Sequence, residues 1–497
     1  MNSFSEPRSS TLLGHPKGLF LLFATEMWER MSYYGLRGIF VLYLSTIATA
    51  GAMGWDMAYF GIDPTASESD QDYQLALQAN ALNILGTYAM LVYVTPVIGG
   101  WIADNVWGQR KSIIVGGSFM MLGQFALGTP HHLIEGLETS FFWIGLALLI
   151  IGNGLFKPNI STMVGDLYDD GDKRRDAAFT IFYMGINVGS ILGYMVVGTI
   201  GEKVDYQYGF LAAGVGMLIG VVIQLCLSNR YLGKVGVEPS ALQKSSTGIA
   251  NEIPLTAQER DRVKVILIMS FFTIVFWSGF EQAAGSMNLF AKYNTDLEFL
   301  GWEMPASWLQ SVNPLFIIIM APMFATFWLR MGDAEPDSPK KFALGMFFLA
   351  LGFVSMCGAA LQIGDDTSAK ASVIWLVLAY IFHTMGELCL SPIGLSMVSK
   401  LSPLKFTSLL MGAWFLFIGL GNKLASEIGK MVGEAGPMAA FSGVAIMAMV
   451  AGLILWLLSD KLVSWMHIDY DTAQNEEEKL VEELSVVAEH EGAKREH

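Results

Sequence analysis

Four ionisable side chains fall inside one apolar stretch near the amino terminus: Glu26, Glu29, Arg30 and Arg37. Lys157, Glu281 and Glu387 each interrupt another apolar stretch. Within a bilayer each such charge costs several kcal/mol unless it is paired, so each is a functional candidate. Positions 26, 30 and 37 are offset by four and seven residues, which sets them on one helical stripe with Tyr33 and Tyr34 beside it. That stripe cannot face lipid and is expected to face a cavity. The chemistry available is recognition of a doubly charged ligand. Arg30 and Lys157 suit a carboxylate, the arginine in bidentate fashion. Glu387 suits an ammonium. Peptides and amino acids both carry that pattern. Protonating a buried carboxylate would remove one charge from a pair and free its basic partner.

Helix rise gives these groups a depth. At about 1.5 Å per residue, Arg30 lies about 18 Å from the cytoplasmic end of its span, Lys157 about 14 Å and Glu387 about 20 Å. Glu26, Glu29, Arg30, Lys157 and Glu387 are therefore expected in one layer near the midplane. By the same rise, Arg37 and Glu281 form a second layer, about 26–29 Å from the cytoplasmic side. That pair has opposite charges and one member from each half of the chain, as an outer gate requires. Tyr34, Tyr93, Asn159, Asn187, Trp277, Asn313 and Trp414 lie near the charges and are candidates to line side-chain pockets.

The elements that must position these groups are membrane spans. The chain has 497 residues, 53% hydrophobic and 15% charged, against about 25% charged in soluble domains. About twelve apolar runs reach the roughly 20 residues a spanning helix needs. They begin near Gly18, Asn80, Ser112, Phe141, Ala177, Phe210, Val265, Leu309, Phe342, Val373, Thr407 and Met438. Positive charge marks the cytoplasmic loops. With the amino terminus inside, the inner loops hold Arg110, Lys111, Lys173, Arg174, Arg175, Arg330, Lys340, Lys341, Lys400 and Lys405, and the outer loops hold few basic residues. Both termini are expected in the cytoplasm, in a plasma membrane (a bacterial inner membrane).

The polar segment 229–262, with Ser245-Ser246, divides the chain. The expected organisation is a six-helix bundle over 1–228, a linker over 229–262, a second six-helix bundle over 263–468 and an acidic tail over 469–497. The fold class is all-α, with a central cavity between the bundles, as in transporters. The net charge of −15 argues against nucleic acid as a partner, and much of it lies in the tail with Glu476-Glu477-Glu478. Cys226, Cys357 and Cys389 lie in apolar runs without metal-ligand spacing, so neither a disulfide framework nor a metal site is expected. No Ser/His/Asp order, metal cluster or phosphate loop appears, so no enzyme is expected. His383, one turn before Glu387, reads as a buried structural histidine or a pH sensor.

Longer motifs resemble known families. Gly99-Gly100-Trp101-Ile102-Ala103-Asp104 running into Gly108-Gln109-Arg110-Lys111 resembles the loop signature of the major facilitator superfamily, with Asn105 where an arginine is usual. Glu26-Met27-Trp28-Glu29-Arg30-Met31-Ser32-Tyr33-Tyr34-Gly35 resembles the E-x-x-E-R-F-x-Y-Y-G signature of proton-dependent oligopeptide transporters, with Met31 replacing Phe. Gly154-Leu155-Phe156-Lys157-Pro158-Asn159, the run 182–190, Phe276-Trp277 with Phe280-Glu281-Gln282, and Gly386-Glu387 with Ser391-Pro392 resemble further motifs of that family. The segment 229–262 is too short for the two extra helices of many bacterial members. No histidine lies between positions 80 and 104, where animal members place a proton-linked one.

The resemblance implies a proton-coupled symporter of di- and tripeptides that works by alternating access, driven by the proton gradient and without a cofactor. It implies proton coupling at Glu26, Glu29, Arg30 and Glu281, and a carboxylate site at Arg30 and Lys157. It implies an amino-terminal site at Glu387 with Asn159 and Asn313, and a pocket shaped by Tyr34, Tyr93, Asn187, Trp277 and Trp414. Arg37 and Glu281 would form the gate. A symporter of another small anion or amino acid, such as nitrate, is the alternative. A drug-exporting antiporter fits less well, because Arg30 and Lys157 would repel cationic cargo.

Overall fold

The computed structural model describes residues 11–46, 71–169, 172, 174–239, 255–364, 369–403 and 406–467. The acidic tail and Ser245-Ser246 lie outside the described residues. Twelve long helices account for most of the described chain. In the amino-terminal half they are α1 (Lys17–Leu44), α2 (Gln71–Ile102), α3 (Gln109–Gly128), α4 (Glu138–Asp166), α5 (Arg174–Leu192) and α6 (Tyr206–Tyr231). In the second half they are α7 (Ala257–Phe280), α8 (Val312–Met331), α9 (Ser338–Ile363), α10 (Val373–Leu401), α11 (Thr407–Ala435) and α12 (Pro437–Met466). The architecture is all-α, with six long helices in each half of the described chain.

Ten helical segments among the described residues are apolar and long enough to cross a membrane by composition alone. The remaining two are α1 and α3. Helix α1 carries Glu26, Glu29, Arg30 and Arg37, charges that lower its mean hydropathy. Two helices begin well before their apolar runs. α2 starts at Gln71, where Asn80 was expected, with Asp72 in its first turn, where the helix dipole favours an acid. α7 starts at Ala257, where Val265 was expected. A capping box sets that start: the Thr256 hydroxyl accepts from the Glu259 amide, and the Glu259 carboxylate accepts from the Thr256 amide. Hydropathy senses lipid contact and misses such polar first turns.

Arginines fasten the ends of the bundles. Arg110, expected as an orientation charge, donates to the Gly233 and Val235 carbonyls at 2.7 and 3.0 Å, just beyond α6. Arg262 does the same at the end of α12, donating to the Met466 and His467 carbonyls at 3.0 and 2.9 Å. Glycines let the helices approach. A Cβ on Gly99 of α2 would overlap the Gly154 carbonyl of α4. Pro158 cannot donate to that carbonyl, so the contact with α2 lies where the α4 ladder is open, one residue from Lys157.

The halves meet along α2 and α11, along α5 and α8, and where the end of α1 reaches the segment Ser286–Asn294 that follows α7. Lys423 of α11 donates across the first seam to Asn83 and to Thr87, the latter at 3.2 Å. Bonds gather at the face opposite Thr11 and His467, the first and last described residues. Asn288 donates to the Gly38 carbonyl at 2.8 Å. Glu202, beyond α5, accepts from the main-chain amides of Ala306 and Ser307 at 3.0 and 2.9 Å. Its side chain is 1% exposed.

Candidate binding site between the two halves

The α1 stripe forms as its spacing requires. Arg30 Nε lies 2.6 Å from Glu26 Oε1 and 2.8 Å from Glu29 Oε2, and all three residues are buried. Asn153 of α4 reaches the other Glu29 oxygen at 3.5 Å. Asn153 was not among the sequence candidates. Its signal was its place four residues before Lys157, on the same face of α4. Lys157 sits 4.1 Å from the centre of the Tyr93 ring, within cation–π range. That contact holds its ammonium without neutralising it.

On the facing side, Asn313 of α8 donates to Glu387 Oε2 of α10 at 2.9 Å and to the Thr384 hydroxyl at 3.1 Å. A hydrogen bond from a neutral amide leaves the carboxylate its charge. Beside these groups lies a cavity of about 140 Å³ lined by Tyr34, Arg37, Tyr93, Trp277, Glu281 and Glu387, among others; Arg30 and Lys157 are not part of its wall, and Tyr93, which is, touches Lys157. Its wall also includes Asn313, Gln310 and Tyr380. The Arg37–Glu281 pair closes one side, with Nη2 and Oε2 2.8 Å apart and side chains 12% and 8% exposed. A larger hollow of about 500 Å³, lined by Leu75, Tyr293 and Gly436 among others, holds Lys430 but no opposed pair of charges, so it is not the candidate site.

The structure thus groups Tyr34, Tyr93, Trp277, Asn313 and Glu387 with the gate pair, beside the Arg30 cluster and Lys157. Besides Glu26, Glu29, Arg30 and Lys157, three further candidates do not line this cavity. Asn159 donates to the Leu155 carbonyl at 2.7 Å and Asn187 to the Tyr183 carbonyl at 2.9 Å, each bonding back along its own helix. Trp414 is 2% exposed and packs against Phe342 of α9, with its ring filling the space beside Gly394. Proximity in depth does not fix the direction a side chain takes around a helix. His383 is 1% exposed, its ring 4.9 Å from that of Phe353 and against Gly352, and it also borders the cavity. Sequence reasoning missed Tyr194, Tyr380 and Gln310, which are uncharged residues in aromatic-rich runs and carry no separate signal.

A central cavity between two helical bundles, with acidic and basic groups facing each other across it, defines a membrane transporter of the major facilitator class. A family model described as the POT family matches residues 110–253 and 241–446. The chain is 35% identical to YclF, an uncharacterized transporter of Bacillus subtilis, over 90% of this chain and 94% of that protein. It is 32% identical to a di-/tripeptide transporter of Lactococcus lactis subsp. cremoris, over 92% and 97% respectively. A crystal structure of the peptide transporter POT in complex with sulfate superimposes with a TM-score of 0.80 at 34% identity, covering 93% of this chain and 98% of that one. A POT family transporter in complex with 5-aminolevulinic acid superimposes at 0.79 with 28% identity, covering 92% and 98%. The chain belongs to the POT family, and it is a transporter, not an enzyme.

Proposed function

We propose that this protein imports di- and tripeptides together with protons by alternating access. One observation carries the reading: Glu387, held by Asn313 at 2.9 Å on the second half, lines a cavity between the halves whose wall on the first half includes Tyr93, the ring that holds Lys157 at 4.1 Å. The peptide ammonium binds Glu387, and the carboxylate binds Lys157 and Arg30. Glu29 protonates, leaving Arg30 free for the substrate. Glu281 protonates to release Arg37 and open the outer gate. Tyr34, Tyr93 and Trp277 shape the pocket, while Asn159, Asn187 and Trp414 support the helices behind it. No cofactor takes part. The proton gradient supplies the driving force, and about 100 mV acting on one charge gives roughly 2.3 kcal/mol.

The setting is a bacterial inner membrane, with both termini and the acidic tail in the cytoplasm. The distribution of Lys and Arg and the bacterial origin of the named relatives support this placement. The face sealed by Glu202 and Asn288 is then the outer one. A second reading, symport of a small amino acid, is favoured by the structural neighbour in complex with 5-aminolevulinic acid, which also carries an amine and a carboxylate.

Uptake of a labelled dipeptide into proteoliposomes tests the proposal. Accumulation should require an inward pH gradient and should be competed by unlabelled dipeptides but not by nitrate. Accumulation that ignores the gradient, or competition by free amino acids or nitrate in preference to peptides, would overturn it.

A further inference from the structure

The cavity wall contains a neutral amide side chain that neither the proton pathway nor the charged ends of a peptide would use. Gln310 lies in the short helix Ala306–Ser311 that leads into α8, one turn before Asn313. The residue is 2% exposed. Both its amide nitrogen and its amide oxygen lack a hydrogen-bond partner among the described residues. Asn313, by contrast, spends its amide nitrogen on Glu387 and Thr384. A buried donor and acceptor left unmade are costly, and natural structures keep few of them without a role. Of the other groups lining this cavity, Trp277 leaves its indole nitrogen unpartnered, His383 both ring nitrogens and Arg37 its Nε, so Gln310 alone in the wall offers an unpartnered amide. The cavity therefore offers neutral hydrogen-bonding capacity close to the Glu387 carboxylate.

Size and spacing say which part of a ligand uses it. The enclosed space of about 140 Å³ is below the roughly 300–1,000 Å³ of pockets that enclose whole drug-sized ligands. It suits the first residue of a peptide, with the rest of the chain extending toward Lys157. Three residues at about 1.5–2.0 Å of rise separate Gln310 from Asn313, or about 4.5–6 Å along the helix. A group one or two bonds past the ammonium bound at Glu387 and Asn313 falls within that distance. In a peptide that group is the first carbonyl.

We infer that Gln310 is a specificity-determining residue that donates its amide N–H to the carbonyl of the substrate's first peptide bond. The inference rests on the peptide-transport reading above. It explains how the site separates a peptide from other molecules with an amine and a carboxylate: the charged ends alone do not distinguish them, whereas a neutral donor placed beside the ammonium does. A site built to hydrogen-bond a substrate group discriminates strongly against analogues lacking it, because its own buried polar atoms are then left unpaired.

Three ligands and one variant test this in the purified full-length protein. The ligands are Ala-Ala, its ketomethylene isostere, which keeps the carbonyl and loses the N–H, and its trans-alkene isostere, which loses both. Affinities are measured by competition binding for the parent and for Gln310→Leu, with thermal unfolding of each ligand-free protein alongside. Leucine has similar size and leaves no polar atom unsatisfied, so the variant should unfold no earlier than the parent. Gln310→Leu should weaken Ala-Ala and the ketomethylene analogue by about tenfold, the scale of one good hydrogen bond, and leave the alkene analogue unchanged. Equal weakening of all three ligands would mean a structural role and overturn the inference, and so would no change in any. Weakening of Ala-Ala but not of the ketomethylene analogue would move the contact to the peptide N–H and overturn the stated bond. Should Ala-Ala fail to bind the parent at all, it is the peptide reading that fails. A second variant, Gln310→Asn, keeps the donor on a shorter arm. It should recover part of the discrimination between Ala-Ala and the alkene, and failure to do so in a stable variant counts against the direct bond.

Discussion

Arg30 is shared between two carboxylates, and the sharing defines what each can do. With Glu26 at 2.6 Å and Glu29 at 2.8 Å from one nitrogen, the guanidinium is committed twice over, and a substrate carboxylate must displace one partner. Glu29 is the expected one to yield, since Asn153 can hold it at 3.5 Å when Arg30 turns away. A neutral amide imitates the protonated acid. Glu29→Gln, and also Glu26→Gln, should therefore lose pH-driven accumulation while keeping exchange of peptide between preloaded and external pools. Lys157→Ala should lower both activities in the same liposomes, because it removes a carboxylate ligand. Glu variants that accumulate like the parent would place the coupled proton elsewhere, with Glu281 the next candidate. Glu387 is the acid on the other side. Glu387→Gln should be nearly inactive, and N-acetylated dipeptides should compete poorly with free ones for the parent. Equal competition by acetylated and free dipeptides would remove Glu387 from ammonium binding.

Among the elements, the seam between α5 and the start of α8 is as consequential as the charged gate. Gly198 follows the π-helical turn Gly193–Val197 that ends α5, and a Cβ there would overlap the Ser307 hydroxyl. π-turns often mark functional positions in helices. Glu202, one turn on, holds the amides of Ala306 and Ser307. Gly198→Ala should wedge this seam and shift the population toward a conformation open at this face, and Ser307→Gly should relieve it. Spin-label distances between α5 and α8 would report the shift, and unchanged distances would show that the seam absorbs the methyl group. Arg37 and Glu281 act at the same face. Removing one partner of a buried pair strands a charge, at a cost of about 3–5 kcal/mol. Arg37→Ala and Glu281→Ala should each impair transport, and the double variant should be less impaired than the product of the two defects. Strictly multiplicative defects would mean that the pair does not work as a unit.

For the molecule as a whole, the proposed alternating access would move one bundle against the other at two seams. The seam of α2 and α11 carries Lys423 with Asn83 and Thr87, and the outer face carries Glu202, Asn288 and the Arg37–Glu281 pair. Alternating access requires the second group to break while the first slides. The orientation that makes this face the outer one has its own check. Epitope tags at either end should be reached by antibody only after the cells are permeabilised. A tag detected on intact cells would reverse the inside and outside assigned here.

The sequence by itself determined the class of fold, the number of spans and the charged machinery. Long apolar runs must become helices in lipid, and an ion within one must face protein or water. The pairing of Arg30 with Glu26 was legible because a four-residue offset on a helix leaves little choice of partner. The Arg37–Glu281 pair was legible from depth and opposite charge. Tertiary structure decided what periodicity and depth leave open, which is how each side chain is turned and what stands opposite it. Asn159, Asn187 and Trp414 lie at suitable depths but turn to their own helices or to α9. Gln310, Asn153 and Glu202 carry no motif in sequence, and they matter because of partners more than a hundred residues away, or because of the lack of any. A hydrogen bond across two bundles depends on how those bundles dock, and docking is set by the close approach of glycines and the shape of packed faces. No local pattern along the chain records that.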